Sequence, residues 1–320
     1  MQDAPRNQVM PLGRALVIAN PAARSGEGSL GAAAMHELLS ANPHVAHDFR
    51  IRETAAPGDA TTLARDAGAE GFNTVIVIGG DGVIHEAVNG LMAGRGSRAD
   101  ERPQLAIIPL GSGNDYARTL GMARNDVAAA FRQIAHGAAR ALDLGCVNGT
   151  FYAQTLSFGI DAAIAIDTTR RRAAETSQKG AALFATSGLK LMSTARTGFP
   201  CRVRFDDEPE RRLDSLIFAL QIGPSYGGGF RICPDADPSD GLIDVCYNVK
   251  LPSIPRTLAL FAMARQGRHV RSSAVELRTC RHATIEFERE PPAQADGEEL
   301  HGTRFDVSVE PAALRVVLPA

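Results

Sequence analysis

Val75-Ile76-Val77-Ile78 runs straight into Gly79-Gly80-Asp81-Gly82-Val83-Ile84-His85-Glu86-Ala87-Val88-Asn89-Gly90, and this stretch decides the fold. The β-branched run predicts a buried strand, and Val83, Ile84, Ala87, Val88 and Leu91 recur at helical spacing. Gly79, Gly80, Asp81 and Gly82 therefore sit at a strand-to-helix turn. The glycines lack a Cβ and let backbone N–H groups approach a phosphate. The helix start adds free donors and partial positive charge. Asp81 in such a turn would repel a phosphate unless it holds magnesium or takes a proton. The plain alternative is that it only caps the helix.

Two further turns of the same kind lie on either side. Leu105-Ala106-Ile107-Ile108 reads as a buried strand and leads into Pro109-Leu110-Gly111-Ser112-Gly113-Asn114-Asp115-Tyr116-Ala117-Arg118. Ala15–Ala19 reads as a strand followed by Asn20-Pro21-Ala22-Ala23-Arg24-Ser25-Gly26-Glu27-Gly28. Each could be ordinary βα punctuation. In one α/β sheet, three such turns at strand carboxyl ends would face a common crevice.

Outward from these loops, residues 15 to 143 alternate between strand and helix. The strands are Ala15–Ala19, Val45–Ile51, Val75–Ile78 and Leu105–Ile108, and the helices Leu30–Leu39, Asp59–Ala67, Val83–Met92 and Asn125–Ile134. That order predicts a mostly parallel sheet covered on both faces. Beyond about 143 strand patterns dominate: Gly149–Leu156, Arg202–Phe205, Ser215–Ile222, Leu242–Asn248, Ala274–Arg278, Ala283–Glu288, Arg304–Val309 and Leu314–Leu318. This half is expected to be mainly antiparallel β, interrupted by one helical stretch from Ala162 to Thr194. The expected division is 1–143 and 144–305.

Composition narrows the function classes. A chain of 320 residues accommodates two domains with a sizeable core. It has no Trp and a net charge of −2, which argues against stacking platforms for nucleic acid and against a global pull towards polyanions. Cys146, Cys201, Cys233, Cys246 and Cys280 are odd in number and lack CxxC spacing, so neither a disulfide framework nor a zinc site is expected. Free thiols fit a reducing, cytoplasmic setting. Met1 to Leu12 does not read as a signal peptide, and no run approaches the ~18 apolar residues of a membrane span.

The three loops resemble those of the catalytic domain shared by diacylglycerol kinases, sphingosine kinases, ceramide kinases and bacterial soluble lipid kinases. Their NPxxxxGxG, GGDG and PLGTxNDFAR patterns are matched by Asn20-Pro21 with Ser25-Gly26, by Gly79 to Glu86, and by Pro109 to Arg118. Further on, Gly227-Gly228-Gly229-Phe230 and Pro234 to Val245 are similar to the family's GGG…DGxLDV run, and Asp296-Gly297-Glu298 to its terminal DGE. The resemblance spans residues 20 to 298 in the family's order. Phosphofructokinases and NAD kinases share a GGDG-like loop, and the first domain is expected to be of that type.

The resemblance implies an ATP- and Mg2+-dependent kinase acting on a lipid hydroxyl, most simply that of diacylglycerol, with the nucleotide in a cleft between the domains. It also implies that the last strands, about 306–320, return to complete the first domain. Cofactor contacts would come from Asn20, Ser25, Gly26, Thr54, Gly79, Gly80, Gly82, Val83, His85, Glu86, Gly111, Ser112, Asn114 and Asp115. Ser112 matches a nucleotide-contacting Thr. Thr54 lies in a segment similar to the family's TxxxGDA, and by itself reads equally as a hydroxyl closing a turn. Asp237, Asp240 and the carbonyl of Leu242 match a loop that binds structural magnesium; composition alone makes them a polar turn. Glu298 matches a proton acceptor, so the resemblance offers both Asp81 and Glu298 as catalytic residues.

Val83 stands where the family usually has Thr or Ser, which removes a hydroxyl beside the phosphates. That loss motivates one rival, a nucleotide-binding regulator that has lost catalysis; the rival among enzymes is a soluble-substrate kinase of the NAD kinase type. The expected partner is a lipid met peripherally at the inner face of the membrane, with homodimerisation left open. From Thr168 to Arg204, eight basic residues, including Arg170, Arg171 and Arg172, face one acidic residue, Glu175, with apolar residues interleaved. That stretch reads either as a membrane-facing surface or as a solvated helix face.

Overall fold

The computed structural model describes residues 11–24, 26–94, 96, 98–173, 185–189, 191 and 197–320. Ser25 lies outside them, as do Glu175, Lys179, Leu183, Phe184, Lys190, Met192 and Arg196 of the basic stretch. The chain divides into two compact units. The first comprises Met1–Gly111, Leu120–Ala141 and Leu314–Ala320; the second comprises Ser112–Thr119 and Leu142–Ala313.

The first unit is α/β. Its elements are β1 (Gly13–Ala19), α1 (Glu27–Ala41), β2 (Ala46–Glu53), α2 (Asp59–Ala67), β3 (Thr74–Gly79), α3 (Asp81–Ala93) and β4 (Gln104–Pro109). After α4 (Asp115–Thr119), which belongs to the second unit, comes α5 (Val127–His136). The strands lie in the order β2-β1-β3-β4 and every pairing is parallel. The chain's last segment joins them, with Val316 opposite Leu105 in a parallel pairing. Every residue of β3 and β4 is buried, which accounts for their unbroken apolar runs: helices cover both faces of a parallel sheet.

The second unit is an antiparallel β sandwich flanked by helices. It contains most of β5 (Ala138–Val147), then β6 (Thr150–Tyr152), β7 (Thr155–Gly159), α6 (Ile160–Ala173), β8 (Phe199–Phe205), β9 (Arg211–Ser215), β10 (Ile217–Gln221) and β11 (Ile243–Asn248). These are followed by helix Ile254–Ala264, β12 (Val275–Cys280), β13 (His282–Phe287), β14 (Ala293–Ala295), β15 (Glu298–Leu300) and the start of β16 (Arg304–Leu318). One sheet runs β12-β11-β10-β7-β14-β15; in the other, β13 pairs with β8 and with the start of β16, and β8 pairs with β9. Their inner faces share an aromatic core: Phe158 packs on Phe305 at 4.7 Å between ring centroids, and Phe205 stacks on Tyr247 at 6.0 Å. Each such buried ring contributes about 1.5–3 kcal/mol. A second apolar cluster, with Ile160, Ile164, Ala219, Cys246 and Leu260, lies where α6 and helix Ile254–Ala264 cover the β10–β11 face.

The expected fold class is therefore present in both halves. Details differ for identifiable reasons. Helix Ile254–Ala264 is absent from the sequence expectation because Pro252 and Pro255 read as breakers. Pro255 stands in the first helical turn, after the N-cap Ser253, where a missing N–H costs nothing. The two expected strands 304–309 and 314–318 are one strand, with Ala312 at φ 50° after Pro311 marking the break. Strand β9 is too polar, and β14 and β15 at three residues each are too short, to show a period. The helix expected from Ala162 begins at Ile160 and is described to Ala173. Among the described residues no helix is long and apolar enough to cross a membrane. All five cysteines are free, and burial pushes the thiols of Cys201, Cys246 and Cys280 up to about 12.

Candidate active site

In the first unit, the strand order reverses between β1 and β3, the kind of switch point where open α/β sheets bind ligands. The loops at the carboxyl ends of the strands are stitched together there. Asn20 N donates to Ile78 O (3.0 Å), Thr54 N to Ala19 O (2.9 Å) and Leu110 N to Gly79 O (2.8 Å). Thus the ends of β1 to β4 and the first residues beyond them form one continuous rim. Asn20 closes its own loop, its Oδ1 accepting from Ala22 N at 3.0 Å.

The turn after β3 has the form a phosphate cradle needs. The N-cap of α3 is Gly80, in extended conformation and without a side-chain cap; Asp81 is the first helical residue and half-buried, so it is not the cap. A Cβ added to Gly80 would stand 3.3 Å from the Cα of Gly111. The backbones of the turns after β3 and β4 therefore run side by side, over a space that side chains would fill. Gly79 has φ 158°, and a Cβ there would lie 2.3 Å from Val83 Cγ1. The valine that replaces the expected hydroxyl thus packs over the turn, buried at 8% exposure. Gly111 N donates to Asn125 Oδ1 (3.2 Å), which fixes the start of the third loop.

His85 and Glu86 have positions of their own. His85 is buried and its Nε2 lies 3.3 Å from Asn89 Nδ2. Glu86 Oε2 accepts from Ala60 N at 3.2 Å, serving the N-terminus of α2, whose own N-cap Gly58 supplies no side chain. Asp59 Oδ2 accepts from Ala55 N and Ala56 N and so closes the loop that carries Thr54.

The remaining candidates lie in the second unit. Asn114 has φ 51° and is buried, and Asp115 Oδ2 accepts from Gly228 N at 2.8 Å. The segment 112–119 is thereby tied to the glycine run 227–229. Asp237 and Asp240 are exposed. Asp237 Oδ1 accepts from Ser239 N and Oγ, and Asp240 Oδ1 accepts from Leu242 N; among the described residues, Oδ2 of each makes no hydrogen bond. Burial first, and then the charges of Asp240, Asp235 and Asp237, push the nearby Asp244 carboxyl up to about 6. This donor set is hard oxygen of the type magnesium takes, and the loop gathers negative charge. Among the described residues, however, no group of three His, Cys, Asp or Glu converges to hold a metal, so two carboxylates and a carbonyl would need water to complete a shell.

Two residues that hold these loops are not singled out by the sequence. Asp143, buried between them, accepts from Gly241 N and Ala312 N, each at 2.7 Å, and its own N–H donates to Pro238 O. Nothing in its local sequence signals this. Asp296 enters the sequence reading only as part of the DGE pattern. With φ 50° followed by Gly297 at φ 98°, it makes the two-residue hairpin between β14 and β15. Its carboxylate accepts from Ala153 N, Gln154 N and Thr155 N at 2.7, 3.0 and 2.9 Å. Glu298 is exposed at the start of β15. The basic residues of α6 are partly spoken for: Arg170 pairs with Glu299 at 3.0 Å, and Arg171 donates to Thr186 and Ser187. The side chain of Arg172 lies outside the described part.

Comparison with known proteins agrees with this layout. The family described as the diacylglycerol kinase catalytic domain matches residues 14–147, and the YegS C-terminal NAD kinase beta sandwich-like domain matches residues 154–318. A probable lipid kinase YegS-like of Pseudomonas aeruginosa is 32% identical over 88% of each chain. A diacylglycerol kinase of Mycobacterium tuberculosis is 31% identical over 96% of each. A putative diacylglycerol kinase from Bacillus anthracis shares the fold, with a TM-score of 0.77 at 23% identity over 95% of this chain and 96% of its own. An NAD kinase from Archaeoglobus fulgidus shares it more distantly, with a TM-score of 0.51 at 11% identity over 97% of this chain and 94% of its own.

Proposed function

We propose that this chain, which belongs to the lipid kinase family built on the diacylglycerol kinase catalytic domain and the YegS-type β sandwich, transfers the γ-phosphoryl group of ATP to a hydroxyl of diacylglycerol or a related lipid. The observation that carries the nucleotide half of this reading is the close backbone approach of Gly80 and Gly111 in the turns after β3 and β4, next to the switch point and beside the uncapped start of α3. Backbone donors and a helix N-terminus bind phosphate without needing a basic side chain.

Phosphoryl transfer asks the protein for positioning and charge neutralisation more than for a strong base. In this reading Gly79 to Gly82 cradle the phosphates. Ser112 offers its hydroxyl to the nucleotide, and Asp81 takes the proton of the attacking hydroxyl or holds the catalytic magnesium. Glu298 is the second candidate for the proton. Asp237, Asp240 and the Leu242 carbonyl would hold a structural magnesium, which would neutralise the carboxylates of that loop. Val83 does not argue against turnover, because backbone groups rather than its side chain provide the cradle.

The test is phosphorylation from γ-labelled ATP with magnesium, offering a total lipid extract, purified diacylglycerol and NAD in separate reactions. A labelled lipid product that is phosphatidic acid or a related phospholipid supports the proposal. Label entering NAD alone would establish the soluble-substrate alternative. Nucleotide binding without any labelled product would establish the regulatory one.

A further inference from the structure

Of the basic stretch that reads either as a membrane-facing surface or as a solvated helix face, the described Arg170, Arg171 and Arg202 make side-chain contacts within the protein, and the structure presents another basic surface. Between Asp244 and Glu276 the chain has no acidic residue and carries Lys250, Arg256, Arg265, Arg268 and Arg271, in a protein whose net charge is −2. Inside this segment Val249 and Leu251 are exposed at 46% and 40%, on either side of Lys250. Large apolar side chains exposed to this degree are few among the described residues, and these two share one loop.

Contacts gather the loop with its neighbours on one surface. Val249 N donates to Ala274 O at 3.0 Å, and Arg256 Nη2 reaches Ser272 Oγ and Ser273 Oγ at 3.5 and 3.4 Å. Lys250, the first turn of helix Ile254–Ala264 and exposed Arg271 therefore lie together. Leu251 borders Gly198, whose carbonyl accepts from Arg289 Nη2 at 2.8 Å. The carboxylate of Asp214 borders the same glycine. Among the described residues, Lys250 and Arg271 make no ion pair.

We propose that this surface docks on an anionic lipid bilayer, with Val249 and Leu251 entering the headgroup layer and Lys250, Arg256 and Arg271 meeting the lipid charges. A stable protein partner needs roughly 800 Å² per side around an apolar centre, and two exposed side chains beside a few cations do not supply it. A bilayer needs only a few inserted apolar side chains and a basic rim. The choice of a bilayer rests on the lipid-kinase reading, since that is where such a substrate lies.

The experiment is co-sedimentation of the full chain with vesicles of phosphatidylcholine, with and without phosphatidylglycerol. Lys250→Glu and the pair Val249→Ser with Leu251→Ser should each weaken binding to the anionic vesicles at least about tenfold. For Lys250→Glu the difference should shrink in high salt. Arg170→Gln, whose guanidinium is already paired with Glu299, should change binding less than about twofold. Turnover on a detergent-dispersed short-chain lipid should be unchanged in every variant. Equal vesicle binding by wild type and Lys250→Glu overturns the proposal even where lipid is phosphorylated. Loss of binding in the variants while no lipid is phosphorylated keeps the surface and removes the kinase reading. A dimer that dissociates on Leu251→Ser in sedimentation velocity would assign the face to a second copy and also overturn the proposal.

Discussion

Replacing Asp296 by Asn changes one atom and should unseat the hairpin that carries Glu298. The carboxylate holds three consecutive backbone donors: Oδ2 takes Ala153 N, and Oδ1 takes Gln154 N and Thr155 N. A carboxylate can accept on both sides, but an amide accepts on one side only and donates on the other. However the new amide is turned, its NH2 must face a peptide N–H. The best orientation keeps the pair on Oδ1, loses the Ala153 bond and removes the charge from the other two. Hydrogen bonds to charged groups contribute about 1.5–3 kcal/mol each, and stranding a donor costs about 1–3 kcal/mol. The expected loss for Asp296→Asn is therefore about 2–4 kcal/mol, read by urea denaturation at pH 7. Turnover should fall with it, because Glu298 lies two residues on. Glu298→Gln is the control: the side chain is exposed, so stability should stay within about 0.5 kcal/mol while turnover falls. A stability change under about 0.5 kcal/mol for Asp296→Asn would refute the claim that this carboxylate clamps the hairpin.

Asp81→Asn should lower turnover by about 100-fold or more with the thermal midpoint little changed; near-normal activity in the folded variant removes Asp81 from the mechanism. Gly80→Ala places a methyl 3.3 Å from Gly111 Cα in a backbone conformation open to alanine, so the KM for nucleotide should rise about tenfold with little loss of stability; an unchanged KM would contradict the cradle. Burial pushes the Asp161 carboxyl up to about 7 from an ordinary 3.8, so the folded state holds a proton that the unfolded state releases. Its contribution to stability must then fall as pH rises from about 4 to about 7 and level off above, by up to about 4 kcal/mol. Asp161→Asn should gain on the wild type by about 2.6 kcal/mol between pH 5 and pH 8, and a pH-independent difference between the two would count against it. Excess magnesium should raise the melting temperature of the wild type but not of Asp240→Ala, whereas equal shifts would argue against a cation in that loop.

Much of the fold was legible because its signals are local. The apolar runs of β3 and β4 announce strands buried on both faces, and the glycine turns that follow announce where a parallel sheet opens its crevice. The helix at Ile254–Ala264 was hidden because proline means opposite things at a helix start and inside it, and only the chain's path tells which applies. Strands β14 and β15, at three residues each, are too brief for any period to register. By itself the sequence determined the two-part architecture, the three loops and the identity of their candidate residues, since residue type and spacing over a few positions suffice for these. Tertiary structure alone decided that Gly80 meets Gly111, that Asp143 and Asp296 serve backbone donors far along the chain, that Arg170 spends its charge on Glu299, and that Val249 and Leu251 are left exposed. Each of these depends on which distant segments become neighbours, and hydrogen bonds, close approaches and exposure exist only once that neighbourhood has formed.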